Sequence, residues 1–205
     1  MTTAERKDAS SSTREVLLAA AGSLPFEDRS DFERAVRGKL AEAPINVVGA
    51  FGHNVWNRDD YMFEATGGSD TVHPSLWRQA QLNNEAGLFE VVPGVYQVRG
   101  VDISNITFIR GDKGWLVIDP LTAEETARAS YDLVSSHFGD RPISGVIYTH
   151  SHTDHFGGVR GVVSEDDVRS GKVPIFAPAG FLEAAVSENV IAGTAMLRRS
   201  MYMYG

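Results

Sequence analysis

Three of the six histidines and one aspartate stand within a short run, His150-Ser-His152-Thr-Asp154-His155. In an extended segment alternate residues project to the same side, so the imidazoles of His150 and His152 can bind one divalent ion. Asp154 and His155 follow where the chain turns toward a helix, and they can face a second ion beside the first. Nitrogen and carboxylate donors without sulfur suit zinc, with iron or manganese allowed. Cysteine is absent from the chain, which excludes thiolate sites and disulfides. His150, His152, Asp154 and His155 are therefore the candidate metal ligands, and Asp154 is also the candidate catalytic residue. Gly157 and Gly158 let the backbone approach the site closely. His53, His73 and His137 are isolated in sequence and read as structural or solvent-exposed.

A strand must deliver that cluster. Val146 to Thr149 is a short apolar run ending at the first histidine, and open α/β sheets place ligand sites at the carboxyl ends of their strands. Upstream, β-branched and aromatic runs at Leu88 to Val92, Val95 to Val98, Ile103 to Ile109 and Trp115 to Ile118 are separated by Pro93-Gly94 and Gly111-Asp112-Lys113-Gly114, the pattern of antiparallel hairpins. Thr122 and Glu125 form a capping box ahead of a helix whose face carries Ala127, Tyr131, Val134 and Phe138, ended by Gly139. A strand at Val173 to Ala177 and a helix with Phe181, Leu182, Ala185, Val186 and Val190 inward complete a strand, helix, strand, helix order, which implies a partly parallel sheet.

Residues 1–85 read differently, as a helical and loop-rich leader packed on a catalytic domain that begins near residue 86. Val16 to Ala21 belongs to a short amphipathic helix. Ser30 and Glu33 form a second capping box, followed by Phe32, Val36 and Leu40 on one helical face until Pro44. From Gly49 to Gly68 no period is visible, and Gly52, Gly67 and Gly68 permit turns.

With 42% hydrophobic residues the composition excludes a wholly disordered chain. The net charge of -8 argues against nucleic acid as a partner. No apolar run approaches membrane-spanning length. Val16 to Ala21, preceded by Glu15, is a poor signal-peptide core, so a cytoplasmic location is the expectation, with export left open.

The run His150-Ser-His-Thr-Asp-His155 resembles the HxHxDH signature of the metallo-β-lactamase fold superfamily, and Ile118-Asp119-Pro120 matches the strand-end aspartate that precedes it there. More specific similarity lies in Asp70-Thr-Val-His-Pro-Ser-Leu-Trp-Arg-Gln-Ala-Gln-Leu-Asn83, His155-Phe-Gly-Gly-Val-Arg-Gly-Val-Val-Ser-Glu165, Ser187-Glu-Asn-Val190 and Tyr202-Met-Tyr-Gly205. Together these resemble the alkyl sulfatases of that superfamily, the linear primary alkylsulfatase group, which release sulfate from detergents such as dodecyl sulfate. Ala184 and Thr194 depart from the His and Asn common in that group.

The resemblance implies an α/β (α+β) fold, the first half of a metallo-β-lactamase αββα sandwich with a helical N-terminal leader. It also implies two zinc ions about 3.5–4 Å apart sharing an activated water, with His150 and His152 on one and Asp154 and His155 on the other. Further ligands would come from downstream, since no histidine follows His155. The 205 residues are accordingly expected to be an incomplete N-terminal fragment, inactive alone, with a homodimer formed only by the full-length enzyme. Glu183 and Glu188 are conceivable substitute ligands, but their helix-face spacing marks them as solvated. Arg160, Arg198 and Arg199 are candidates for contact with an alkyl sulfate. The HxHxDH motif alone would also serve another hydrolase of the superfamily, a thioesterase or a lactonase, or a non-catalytic metal-binding remnant.

Overall fold

The computed structural model describes residues 8–66 and 68–204. The turn expected at Gly67 and the final residue of the Tyr202–Gly205 motif lie outside them. Two compact units divide the chain, one from the residues up to Arg37 together with Arg58–Glu85, the other from Gly38–Asn57 together with residues from Ala86 onward.

The first unit is helical. In α1 (Ser11–Ser23) the Ser10 hydroxyl accepts from Thr13 N at 3.1 Å and satisfies one of the free amides of the first turn. Helix α2 spans Ser30–Ala35. It ends before the apolar period at Phe32, Val36 and Leu40 can run its course, and Ser30 is its first helical residue rather than its cap. Helix α3 (Pro74–Asn83) starts with Pro74, whose missing N–H costs nothing there, and the His73 ring accepts from Ser75 N. Arg78 donates to the Asp28 carbonyl and lies 4.9 Å from the centre of the Phe32 ring, so α2 and α3 are tied together.

The second unit contains the sheet. Its strands are β1 (Lys39–Glu42), β2 (Asn46–Val48), β3 (Asn54–Asn57), β4 (Gly87–Val92), β5 (Val95–Arg99), β6 (Ile106–Arg110), β7 (Trp115–Ile118), β8 (Ile143–Ile147) and β9 (Ile175–Phe176). Its helices are α4 (Glu124–Phe138), α5 (Glu165–Arg169), α6 (Phe181–Val186) and α7 (Gly193–Tyr204). The main sheet runs β1-β4-β5-β6-β7-β8-β9, and β2 pairs with β3 separately. Neighbours from β1 to β7 are antiparallel, whereas β7/β8 and β8/β9 are parallel because α4 carries the chain back between β7 and β8.

Strands β1, β2 and β3 lie inside the segment read from sequence as a helical and loop leader. Gly38, at φ 77, turns the chain out of α2, and its carbonyl accepts from Glu90 N at 2.8 Å, which sets Lys39–Glu42 along β4. Tertiary pairing overrides the local helical period there.

Alternation on the central strands places Tyr96, Val98, Ile106, Phe108, Trp115 and Val117 in the core against Ala127 and Val134 of α4. Tyr96 and Phe138 lie 4.3 Å apart by ring centroid, and Trp115 meets Tyr96 edge-on. The helix of Phe181 behaves otherwise than its pattern predicts: Ala185 is buried, but Leu182 and Val190 are exposed. Among the described residues no helix is long and apolar enough to cross a membrane.

Candidate metal centre

Because β7 and β8 are parallel neighbours in register, with Ile118 opposite Ile147, the residues leaving their carboxyl ends emerge side by side. Asp119 leaves β7, and Tyr148 to His150 leave β8. Asp119 N donates to Ile147 O at 3.0 Å, and Thr149 N donates to Asp119 Oδ1 at 2.8 Å. Asp119 and Leu121 hold φ values of 53 and 63, a left-handed conformation that costs a non-glycine residue about 1–2 kcal/mol. Gly158 N helps hold it, donating to Leu121 O at 2.9 Å.

The hydrogen bonds assign the ring protons. Thr149 Oγ1 donates to Asp119 Oδ2 at 2.6 Å, so its hydroxyl hydrogen is spent. His150 Nδ1, 2.9 Å from Thr149 Oγ1, must therefore donate to that hydroxyl oxygen, and His150 Nε2 is left bare. His155 Nδ1 donates to Asp119 Oδ2 at 2.8 Å, which turns His155 Nε2 to the other side of the ring. That nitrogen faces Asp154 Oδ2 at 3.3 Å. At this distance the carboxylate meets either a proton on Nε2 or, once that proton is displaced, a cation that both atoms share. Ligands held by a tetrahedral ion at about 2.1 Å stand about 3.4 Å apart, so the pair fits a divalent metal.

Donor atoms of Asp119, His150 and His155 all lie within 4.8 Å of one another. The His150 ring is 4.1 Å from that of His155 and 4.7 Å from that of His152 by centroid. All four sequence-predicted residues thus share one patch, but the tightest donor triplet contains Asp119 in place of His152 and Asp154. The oxygens of Asp119 are engaged by Thr149 and His155, which makes it an orienting carboxylate for those groups. The His152 side chain is 59% exposed, against 23% for His155.

Backbone packing brings the loop to this position. A short 3-10 turn spans Thr153–His155, and a second, Val159–Gly161, lies against the start of α4. A Cβ on Gly158 would sit 2.4 Å from the carbonyl oxygens of both Pro120 and Ala123, and one on Gly161 would sit 2.2 Å from Glu124 O. No larger residue permits that approach.

Several contributing residues escaped the sequence. The expected capping box at Thr122 and Glu125 does not form: α4 has Ala123 at its N-cap without a side-chain bond. Buried Asp102 does that work, accepting from Thr122 N, Thr122 Oγ1, Ala123 N and Thr126 Oγ1. Two residues on, the Ser104 hydroxyl donates to Asp154 O. Glu188, read as solvated, lies 3.4 Å from His152 Nε2, whereas Glu183 is exposed. Arg160 pairs with Glu165, and Arg198 and Arg199 are exposed on α7. His53, His73 and His137 are exposed and lie outside the cluster.

The metallo-beta-lactamase superfamily model matches residues 99–195, a span that contains the whole metal loop. An (R)-specific secondary-alkylsulfatase from Pseudomonas sp is 55% identical over 183 residues, covering 89% of this chain and 28% of that protein. A linear primary-alkylsulfatase from Pseudomonas sp is 50% identical over 202 residues, covering 97% of this chain and 30% of that protein. The chain is thus similar to alkylsulfatases over most of its length and to the metallo-beta-lactamase superfamily over residues 99–195. Among solved structures, the stereoselective inverting sec-alkylsulfatase Pisa1 from Pseudomonas sp. superposes on this chain with a TM-score of 0.92 at 53% identity, over 97% of this chain and 31% of the other. The chain therefore spans about three tenths of the length of the relatives it matches. The metallo-beta-lactamase fold implies a metal, and the strand-end histidines of this chain, with Asp119, form a donor group that could hold one.

Proposed function

We propose that the protein hydrolyses alkyl sulfate esters, with zinc bound by His150, His152, Asp154 and His155. The observation that carries this reading is the identity of 50–55% to proteins named as alkylsulfatases, which extends far to either side of the metal loop. A loop motif shared by the superfamily alone would not produce it.

Hydrolysis converts R–O–SO₃⁻ and water into the alcohol and hydrogen sulfate. Bound zinc supplies a water whose pKa is lowered toward neutrality, and a Lewis acid for the sulfate oxygens. The chain contributes orientation: Thr149 and Asp119 hold the Nδ1 atoms of His150 and His155, which leaves Nε2 of each ring as the atom to meet a metal. Asp154 is the carboxylate available to accept a proton from the attacking water. Arg198 and Arg199 are the proposed partners for the anionic ester, since Arg160 is engaged by Glu165. At a net charge of -8 the whole molecule repels an anionic detergent, so attraction must be local to the site.

The test is product release from dodecyl sulfate, a thioester and a lactone, measured on this chain and on the longest natural protein that contains it, before and after chelation. Zinc-restored sulfate release by the longer protein is the expected result. Thioester or lactone turnover without sulfate release would replace the proposal.

A further inference from the structure

A turn outside the strand end reaches the metal loop through two consecutive residues. Helix α6 continues at Val186 into a π-type turn over Ser187–Ile191, a wide winding that is rare and recurs at functional sites. Glu188 Oε1 stands 3.4 Å from His152 Nε2. Next to it, Asn189 Oδ1 accepts from Thr153 Oγ1, while Asn189 Nδ2 donates to Ala185 O at 2.9 Å and so fixes which way the amide faces. Thr153 lies between His152 and Asp154, so the two contacts grip adjacent residues of the loop.

We infer that the Ser187–Ile191 turn clamps the metal loop, with Glu188 as a positioning residue that receives the Nε2 proton of His152 and thereby leaves His152 Nδ1 to bind metal. His150 and His155 have their Nδ1 atoms held by Thr149 and Asp119, whereas the ring of His152 faces Glu188 through Nε2. An ionised carboxylate only accepts, so the nitrogen facing it carries the hydrogen. A carboxylate behind a ligating imidazole fixes its tautomer and raises its affinity for metal. The Glu188 side chain is 24% exposed, which limits competition from water. The metal-binding half of this inference rests on the proposed function, in which His152 is a ligand; the tautomer half does not.

The experiment uses the chain labelled with ¹⁵N-histidine, read by long-range ¹H–¹⁵N spectra without metal and by chelator competition with zinc. The metal-free wild type should carry the His152 proton on Nε2. Glu188→Ala should shift His152 toward a mixture of tautomers while the other histidine signals stay in place, and should weaken zinc binding about 10-fold. Glu188→Gln, whose amide oxygen can still accept, should recover most of the tautomer preference, and Glu183→Gln should change neither readout. An unchanged His152 tautomer in Glu188→Ala, or a wild-type proton on Nδ1, would overturn the inference. A tautomer that depends on Glu188, with no zinc bound by the longest natural protein that contains this chain, would uphold the clamp and overturn the proposed function.

Discussion

Replacing Asp119 by Asn isolates the orienting carboxylate from the backbone it sits on. At φ 53 the residue occupies a left-handed conformation that Asn tolerates as readily as Asp, so the turn after β7 should survive. The hydrogen bonds cannot all survive. Oδ1 accepts from Thr149 N, while Oδ2 accepts from both Thr149 Oγ1 and His155 Nδ1. With the amide oxygen kept on Thr149 N, an NH₂ group faces the histidine, so His155 must present a bare Nδ1 and carry its proton on Nε2. Nε2 is the atom that faces Asp154 and is needed by the metal. Loss of an orienting carboxylate typically costs about 10–100-fold in affinity, equivalent to about 1.4–2.7 kcal/mol. Exchanging charge-assisted for neutral bonds at Thr149 should cost a further 1–2 kcal/mol, roughly, of folding stability. Competition against a chromogenic chelator measures the first quantity, and urea unfolding in metal-free buffer measures the second. Zinc affinity within twofold of wild type would refute the role assigned to Asp119.

Other perturbations probe the scaffold. Asp102→Ala removes the buried acceptor at the start of α4 and should lower unfolding free energy by roughly 2–4 kcal/mol in urea melts. Gly158→Ala forces a Cβ to 2.4 Å from two backbone oxygens and should cost about 1–3 kcal/mol or more; Gly22→Ala in α1, where nothing lies within 4 Å, should instead stabilise by up to about 1 kcal/mol in the same measurement. Burial pushes the Tyr148 hydroxyl up to about 12 from 10.0, so the folded state keeps a proton that the unfolded chain loses first. Stability should therefore be intact below about pH 10 and decline as the pH rises toward 12, and Tyr148→Phe should flatten that limb of a pH-dependent unfolding series.

The candidate ligand loop was legible because strand chemistry and motif spacing coincide at one place. Val146 to Thr149 reads as a strand, β8 ends within it, and the histidines follow at its carboxyl end. Helix α4 was equally legible, since Ala127 and Val134 are spaced for one face and both are buried. What escaped depends on partners distant in sequence. Asp102 is an ordinary loop aspartate until folding brings Thr122 and Thr126 to it. Glu188 looks like a solvated helix position because a regular helical period does not anticipate a π-type turn. Leu40 belongs to β1 although its spacing from Phe32 and Val36 is helical, because pairing with β4 outweighs a period carried by three residues. Thr122 carries a capping signature, but its hydroxyl is taken by Asp102 at 2.7 Å.

Crystals of the protein grown with zinc and measured at the zinc absorption edge test the central claim most directly. The account predicts anomalous signal at the carboxyl end of β8, with His150 Nε2 and His152 Nδ1 on one ion and His155 Nε2 and Asp154 on the other. A protein saturated with zinc that shows no peak at this loop, or that holds its zinc at His53, His73 or His137 instead, would contradict it.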